Sequence, residues 1–278
     1  CQVRNLTNIT GFGSTEFHVF RGREGLSDTD FIFYLARWSD VRDYAEANFH
    51  GTSGRQRVPR ESFDNFFLKL PPLLEQHAIT DVLSGLDDKI DLLHRQKKTL
   101  EGMAEALYRH FFIEGRNSDW KECTISELAV HEKQSIYPKR IPETTFYHYS
   151  IAAFDESHMP VPESGALIQS NKYKVTGNSI LFCKLNPDKD KRIWLIPDGI
   201  NVNSVCSTEF QIMSPKADKY LFFLYGFISS PVNYDEIAAG VGGTSGSHQR
   251  IDPDVIFKFP CFNPDDTTLA DYNDMVSP

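Results

Sequence analysis

The sequence lacks most of what marks a secreted, membrane-spanning or catalytic protein. Its 278 residues contain five cysteines, Cys1, Cys123, Cys183, Cys206 and Cys261, odd in number and never spaced C-x-x-C. This argues against a disulfide framework and is expected of reduced thiols in a cytoplasmic protein. No apolar run approaches the roughly 18 residues that cross a bilayer, and no signal-peptide pattern opens the chain. Without export, the sequons Asn5-Leu6-Thr7 and Asn8-Ile9-Thr10 are coincidental. The chain begins at Cys1 rather than Met, as expected of a fragment or the remnant of a longer product. An excess of positive charge is also missing. A net charge of −9 argues against a nonspecific nucleic-acid coat. It leaves room for a reader of bases whose phosphate contacts come from a basic partner.

Catalytic signatures are equally scarce. A DNA methyltransferase needs an N-P-P-Y-like loop, and "FNPDD" and "LNPDK" have neither the second proline nor the aromatic. The acids of "NPDKDK" (186–191) crowd into one turn, whereas a nuclease needs them on neighbouring strands to reach one Mg²⁺. "DDKID" (87–91) reads as the solvated face of a helix. The nine histidines show neither H-E-x-x-H nor paired Cys/His spacing, and His77, His94 and His110 read as surface or interface residues. No G-x-S-x-G elbow occurs; "GTSG" at 51–54 and 243–246 precedes a strand-like stretch instead. The expectation is a chain that catalyses nothing and holds no metal or cofactor.

What is present is a repeat. Forty per cent hydrophobic and 24 per cent charged residues describe a folded domain. "HGTSGRQRVPRESFDNFFLKLPP" (50–72) is echoed by "GGTSGSHQRIDPDVIFKFPCF" (242–262). "STEFHVF" from Ser14 is echoed by "STEFQIM" from Ser207. "DFIFYLARWSDVRDYAEA", with Phe31, Tyr34, Leu35, Trp38 and Val41 on one helical face, has its counterpart in "YLFFLYGFISS". The predicted order in both copies is strand, helix, glycine loop, strand, proline. A period of roughly two hundred residues is too long for a solenoid and points to two copies of a domain.

Between the copies, residues 73–113 predict a long helix. Ile79, Leu83, Leu86, Ile90, Leu93, Leu100, Ala104, Leu107 and Phe111 follow 3–4 spacing, a coiled-coil seam interrupted by Lys97. Pro72 suits its first turn and Gly115 its stop. Such a helix is a rod of order 60 Å, and its stripe needs a partner helix. Residues 117–206 read as short strands broken by Asn, Gly, Pro and Asp turns, as in "YKVTGNSILFCKLNP" and "KRIWLIPDGINVNSV". The first copy has no such β-rich half, and "NPDDTTLADYNDMVSP" leads into a second helix. The fold class expected is α+β, mixed sheet and helices joined to a long coiled-coil-forming helix.

"STEFHVF", a helix, "GTSGRQRV", "LPPLLEQ", a leucine-spaced helix ending "LYRHFF", then "WKECTISEL" and "FKFPCFNPDD" resemble the specificity (S) subunit of type I restriction–modification systems. The resemblance implies the C-terminal part of one target recognition domain at 1–71 and a spacer helix at 72–116. It implies a second recognition domain at 117–261 and the start of a second spacer helix at 262–278. In that family each recognition domain reads half of a bipartite site on double-stranded DNA, and antiparallel helices fix the gap. Methyltransferase subunits carrying S-adenosylmethionine dock on the assembly, and a restriction subunit uses ATP and Mg²⁺. The implied setting is the cytoplasm of a bacterium or archaeon, with no membrane. The missing half-domain and second helix leave the seam open to another chain, so a homodimer through the long helix is a further expectation.

Base edges and phosphates are held by Arg, Lys, Asn, Gln, Ser, Thr and backbone N–H groups. Two repeated loops carry such residues: Thr52, Ser53, Arg55, Gln56 and Arg57, and Thr244, Ser245, Ser247, His248, Gln249 and Arg250. Their repetition fits a shared turn or a sequence-independent phosphate contact better than base reading. The polar segments unique to the second module are candidates for specificity: Gln169, Ser170, Asn171, Lys172 and Tyr173; Lys184, Asn186, Lys189, Lys191 and Arg192; and Lys139 and Arg140 with Tyr147. A coiled-coil scaffold presenting two protein-binding β modules is the alternative, distinguished by indifference to DNA at low salt.

Overall fold

The computed structural model describes residues 12–52, 56–239 and 250–277. They fall into two compact units, residues 1–98 and 99–278. The architecture is α+β, and one long helix runs through the boundary between the units.

Unit 1 is helical. Helices α1 (Thr29–Leu35) and α2 (Ser39–Ala47) replace the single helix expected, the chain breaking at Trp38, which is extended. Asp28 caps α1 by accepting the Phe31 N–H (2.8 Å). Apolar burial is slight, with Phe31 and Val41 fully inside. Polar clamps do much of the fastening. The hydroxyls of Tyr34 and Tyr44 donate to the Asp87 carboxylate and the Ser62 carbonyl (both 2.9 Å). Helix α3 spans Leu73–Tyr108, and Gln76 in its first turn is 0% exposed. Its Oε1 accepts the Asp28 N–H (2.9 Å), and its Nε2 donates to the carbonyls of Leu26 (3.0 Å) and Pro71 (2.8 Å). Three backbone groups of neighbouring segments are thus satisfied by one buried side chain.

Both strands expected here are absent. "STEFHVF" is irregular, with Phe17 and Val19 exposed. "FDNFFLKL" is a 3-10 turn at Arg60–Asn65 followed by extended chain in which Phe67 is 88% exposed. An extended segment becomes a strand only when neighbours take its N–H and C=O groups, and among the described residues of unit 1 none does so for these two segments.

In unit 2 the α3 helix ends in a π-turn, Arg109–Glu114, closed by the Gly115 N–H on the His110 carbonyl (2.9 Å). There follow β1 (Lys121–Thr124), α4 (Ile125–Leu128), β2 (Ala129–Glu132), β3 (Ser135–Ile136), β4 (Thr145–Tyr149), α5 (Ile151–Glu156), β5 (Val161–Ser164) and β6 (Lys172–Lys174). The chain continues through β7 (Ser179–Cys183), β8 (Ile193–Ile196), β9 (Ser204–Ser207), β10 (Phe210–Pro215), α6 (Leu221–Ser229), α7 (Pro231–Ala239), α8 (Pro253–Phe257), β11 (Pro260–Asn263) and α9 (Asp266–Val276).

A four-stranded antiparallel sheet, β2-β10-β7-β8, is the middle layer. Its inner strand β7, "SILFC", is buried at every position, with apolar side chains on both faces. Ile180 and Phe182 face α6 and α7; Leu181 and Cys183 face the second sheet, β3-β6-β9-β4-β5, together with Tyr149 and Cys206. Only β4 and β9 run parallel. A two-stranded sheet, β1-β11, closes the base.

The end of α3 plugs into this core. Phe112 is fully buried, 4.8–4.9 Å ring to ring from Tyr272 and Phe223. Tyr108 lies so close to α6 that a Cβ on Gly226 would come within 2.5 Å of its ring, which explains glycine inside that helix. Leu107 and Phe111, read from the sequence as seam residues, pack against this core instead. The rest of the stripe is uncovered: Leu86 is 58% exposed and Leu100 64%, with Ile79, Ile90 and Leu93 also exposed and Leu83 half-buried.

The two stretches of similar sequence take different local structures. In unit 2, "STEFQIM" supplies β10, held between β2 and β7, and β11 is held by β1. Arg57 and Arg250 each make an isolated β-bridge, with His50 and Leu185. "VIFKFP" was expected to be a strand, but Val255–Phe257 is helical because Asp252 caps and Pro253 starts α8.

Replacing Gln76 by leucine removes three hydrogen bonds to part-buried backbone groups, a cost of roughly 1.5–4 kcal/mol. Glu75→Leu at the exposed neighbouring position costs under about 0.5 kcal/mol. Denaturant titration, with hydrogen exchange at the Asp28 amide, measures the difference.

Candidate nucleic-acid interface

The polar residues picked from the sequence divide by what they touch. Lys139 and Arg140 lie on a 3-10 turn, Pro138–Arg140, between β3 and β4. Gln169, Ser170 and Asn171 lie on the loop between β5 and β6, and all five residues are exposed. The two loops are tied together. The Gly165 N–H donates to the Thr144 carbonyl (2.8 Å), and the Ser164 hydroxyl donates to the Pro142 carbonyl (2.8 Å). A Cβ at Gly165 would come within 2.6 Å of the carbonyls of Ile141 and Pro138, so only glycine permits this approach. Lys139 Nζ then reaches Gln169 Oε1 at 3.1 Å, and the Gln169 amide nitrogen donates to the Ala166 carbonyl (3.1 Å). The Arg140 guanidinium lies 4.6 Å from the centre of the Tyr137 ring. The result is a ledge of donors and acceptors on rigid backing, beside the exposed side chains of Tyr137, Ile141 and Leu167.

Lys172 supports this ledge from beneath. It is 7% exposed and donates from Nζ to the Ser170 hydroxyl (2.6 Å). On the same face of the sheet, His148 Nδ1 lies 2.6 Å from Glu163 Oε2 across the β4–β5 pair. The buried His148 Nε2 has no hydrogen-bond partner among the described residues. Burial is the largest influence on both groups and holds the His148 imidazole and the Lys172 ammonium below their ordinary pKa values. Glu163 pulls both the other way. The His148–Glu163 pair escaped sequence reading because it depends on a strand pairing. Tyr147 and Tyr173 are half-buried on β4 and β6, and Tyr173 packs toward the middle sheet.

The other basic residues are committed inside the protein. Arg192 grips Asp155 with two hydrogen bonds (2.7 and 2.8 Å) and Asp190 at 3.0 Å. Arg250 grips Glu209 likewise (3.0 and 2.8 Å). Lys191 donates to the Ser229 carbonyl with its ammonium over the Tyr234 ring. Arg57 pairs with Glu16 at 2.7 Å. Lys184 is half-buried; Asn186 sits in the left-handed region (φ 46°) and its carbonyl accepts the Lys189 N–H (3.1 Å). In the repeated loops, Thr52 and Gln56 are exposed. Ser53, Arg55, Thr244, Ser245, Ser247, His248 and Gln249 lie outside the described residues. Among the described residues no group of three His, Cys, Asp or Glu side chains could hold a metal ion, and no helix is long and apolar enough to cross a membrane.

Comparison with known proteins fixes the kinship of the first unit. Residues 6–102 match the family model of the type I restriction modification DNA specificity domain. The HindI specificity subunit of Haemophilus influenzae is 28% identical over 102 residues, 36% of this chain and 22% of that protein. The EcoEI specificity subunit of Escherichia coli is 30% identical over 96 residues, 34% of this chain and 16% of that protein. Over residues 6–102 the chain is similar to the type I restriction–modification specificity subunits. Its alignment spans about a fifth of these relatives' length. The fold of a type I restriction–modification S subunit from M. genitalium superposes with a TM-score of 0.51 at 15% identity, over 90% of this chain and 69% of that one. The family-model match ends at residue 102, within α3, and the likeness to the M. genitalium subunit, at 15% identity, is one of fold.

Two outcomes follow. Arg192→Ala lowers the stability of unit 2 by roughly 1–2 kcal/mol, discounted because Asp155 is half-exposed, whereas Lys139→Ala changes it by less than about 0.5 kcal/mol; thermal denaturation separates them. A histidine whose folded pKa is depressed takes up its proton more readily in the unfolded chain. Stability therefore falls as pH drops below the unfolded value, about 6.5. His131, also depressed by burial, contributes in the same direction. The melting temperature of His148→Gln between pH 8 and 5.5 should fall less steeply than that of the unmodified protein.

Proposed function

We propose that this chain is the DNA-specificity component of a type I restriction–modification complex. It recognises part of a bipartite site on double-stranded DNA and docks methyltransferase and restriction subunits. The reading rests on the specificity-domain match over residues 6–102. The parallel order of helices, isolated bridge and short helix in unit 2 supports a second recognition module. The chemistry belongs to the partners: S-adenosylmethionine to the methyltransferase subunits, ATP and Mg²⁺ to the restriction subunit. This chain contributes selection in the cytoplasm and no catalysis.

Within unit 2 the DNA-facing surface is the ledge of Lys139, Arg140, Gln169, Ser170 and Asn171. A glutamine held by backbone and lysine suits the paired donor and acceptor of a base edge, and Lys139 and Arg140 suit phosphates. The negative net charge is tolerable because nonspecific affinity is left to the partner subunits. The open stripe of α3, Ile79 to Leu100, is the surface for a second helix, from a homodimer or from another specificity helix, and the paired helices serve as a spacer.

Reconstitution with methyltransferase subunits tests this. Mapping of methylated adenines should return one bipartite sequence. Gln169→Ala should relax one base position by about 1–3 kcal/mol. Lys139→Ala should weaken all duplexes alike and reduce the salt slope by about one. Equal affinity for scrambled duplexes in that complex defeats the proposal.

A further inference from the structure

Two thiols face each other at the base of unit 2. Cys123 on β1 and Cys261 on β11 are register partners in an antiparallel pair, with Sγ atoms 3.4 Å apart. The neighbouring Ile125 N–H donates to the Phe259 carbonyl (3.2 Å). Counting two residues along each strand makes Cys123 and Cys261 a hydrogen-bonded pair, with Cα atoms about 5.5 Å apart. That lies within the span of a disulfide bridge. The remaining described cysteines, Cys183 and Cys206, are buried on β7 and β9.

The surroundings give the pair a consequence. Trp120, just before β1, stacks on Phe262 (5.3 Å) and donates from its indole nitrogen to Asp265, the cap of α9 (2.8 Å). Arg116 lies over the opposite partner of that stack, 4.9 Å from the Phe262 ring centre. The two-stranded sheet thus sits where the chain leaves the α3 helix and where it enters α9, and noncovalent contacts alone hold the two segments.

We propose that Cys123 and Cys261 are a redox-modification site, closed to a disulfide by a small-molecule disulfide of the glutathione class. Cys123, half-exposed, attacks one sulfur of the oxidant as the thiolate and forms a mixed disulfide, releasing one glutathione thiol. Cys261, buried behind it, attacks Cys123 Sγ, forms the internal bond and releases the second glutathione. The two thiol protons of the protein end on the two reduced glutathiones, so two cysteines are oxidised and one oxidant disulfide is reduced. Burial holds both thiols above their ordinary pKa. The exchange is slow at neutral pH and faster in alkali, and it starts at the outer sulfur. The bridge closes a loop between residues 138 apart in sequence, so it restricts the unfolded chain strongly.

The test uses the whole chain in glutathione buffers of increasing oxidising ratio at pH 8, quenched with acid and mapped by mass spectrometry. The expected product has lost two hydrogens and yields one cross-linked peptide joining Cys123 to Cys261. Its melting temperature is higher by about 5–15 °C, and dithiothreitol reverses the gain. Cys261→Ser should stop at a glutathione adduct on Cys123, and Cys123→Ser should stay unmodified at Cys261. A lasting glutathione adduct on Cys123 in the unaltered protein overturns the proposal. So does a bridge through Cys183 or Cys206, or full retention of both thiols at the most oxidising ratio.

Discussion

A strand is defined by its neighbours, and that constraint governs how this chain uses its repeat. The stretch beginning Ser-Thr-Glu-Phe occurs twice. At Ser207 it feeds β10, which exchanges backbone hydrogen bonds with β2 on one edge and β7 on the other. At Ser14 the same letters find no such edge and remain irregular. The difference lies in the environment, because intrinsic strand preference is weak beside the pairing and burial that realise it. The middle sheet then organises unit 2, since β7, buried on both faces, needs helices on one side and the second sheet on the other.

This explains what the sequence revealed and what it hid. Helices depend on local periodicity, so α3 was legible within a few residues of its ends, from its leucine spacing, Pro72 and Gly115. The strands from Lys172 to Ser207 were legible from apolar runs punctuated by Asn, Gly and Pro. Misreadings fell where long-range pairing or a local cap overrode the pattern. Residues 63–70 have strand composition and no partner, and Val255–Phe257 have strand composition but follow an Asp-Pro helix start. Leu107 and Phe111 obey the seam spacing, yet the aromatic cluster of Phe112, Phe223 and Tyr272 claims that end of the helix. Spacing reveals which face is apolar and is silent on what covers it.

The polar residues show the same division. Composition marked Lys139, Gln169 and Arg192 as candidates for specificity, and Arg250 for a shared turn or a phosphate contact. The fold separates them, because Arg192 and Arg250 meet carboxylates supplied by distant segments, Asp155 and Glu209. An arginine fixed in a two-pronged grip is a fastening. A lysine resting on a neighbouring amide at an exposed edge can exchange that bond for another at little cost. Lys172, buried beneath Ser170, shows a third use of positive charge, as backing for a loop.

Gln76 also sets an angle. Its amide is locked to three backbone groups of unit 1, so the first turn of α3 cannot rotate about its axis or slide along it without breaking all three bonds. The direction in which Ile79, Leu83 and Leu86 point is thereby indexed to the body of unit 1, like a keyed shaft. One residue inserted between Gln76 and Ile79 would swing that stripe by about 100°, whereas seven would return it to within about 20°. An insertion in this segment therefore keeps the stripe's direction only when it adds whole heptads or near-whole turns.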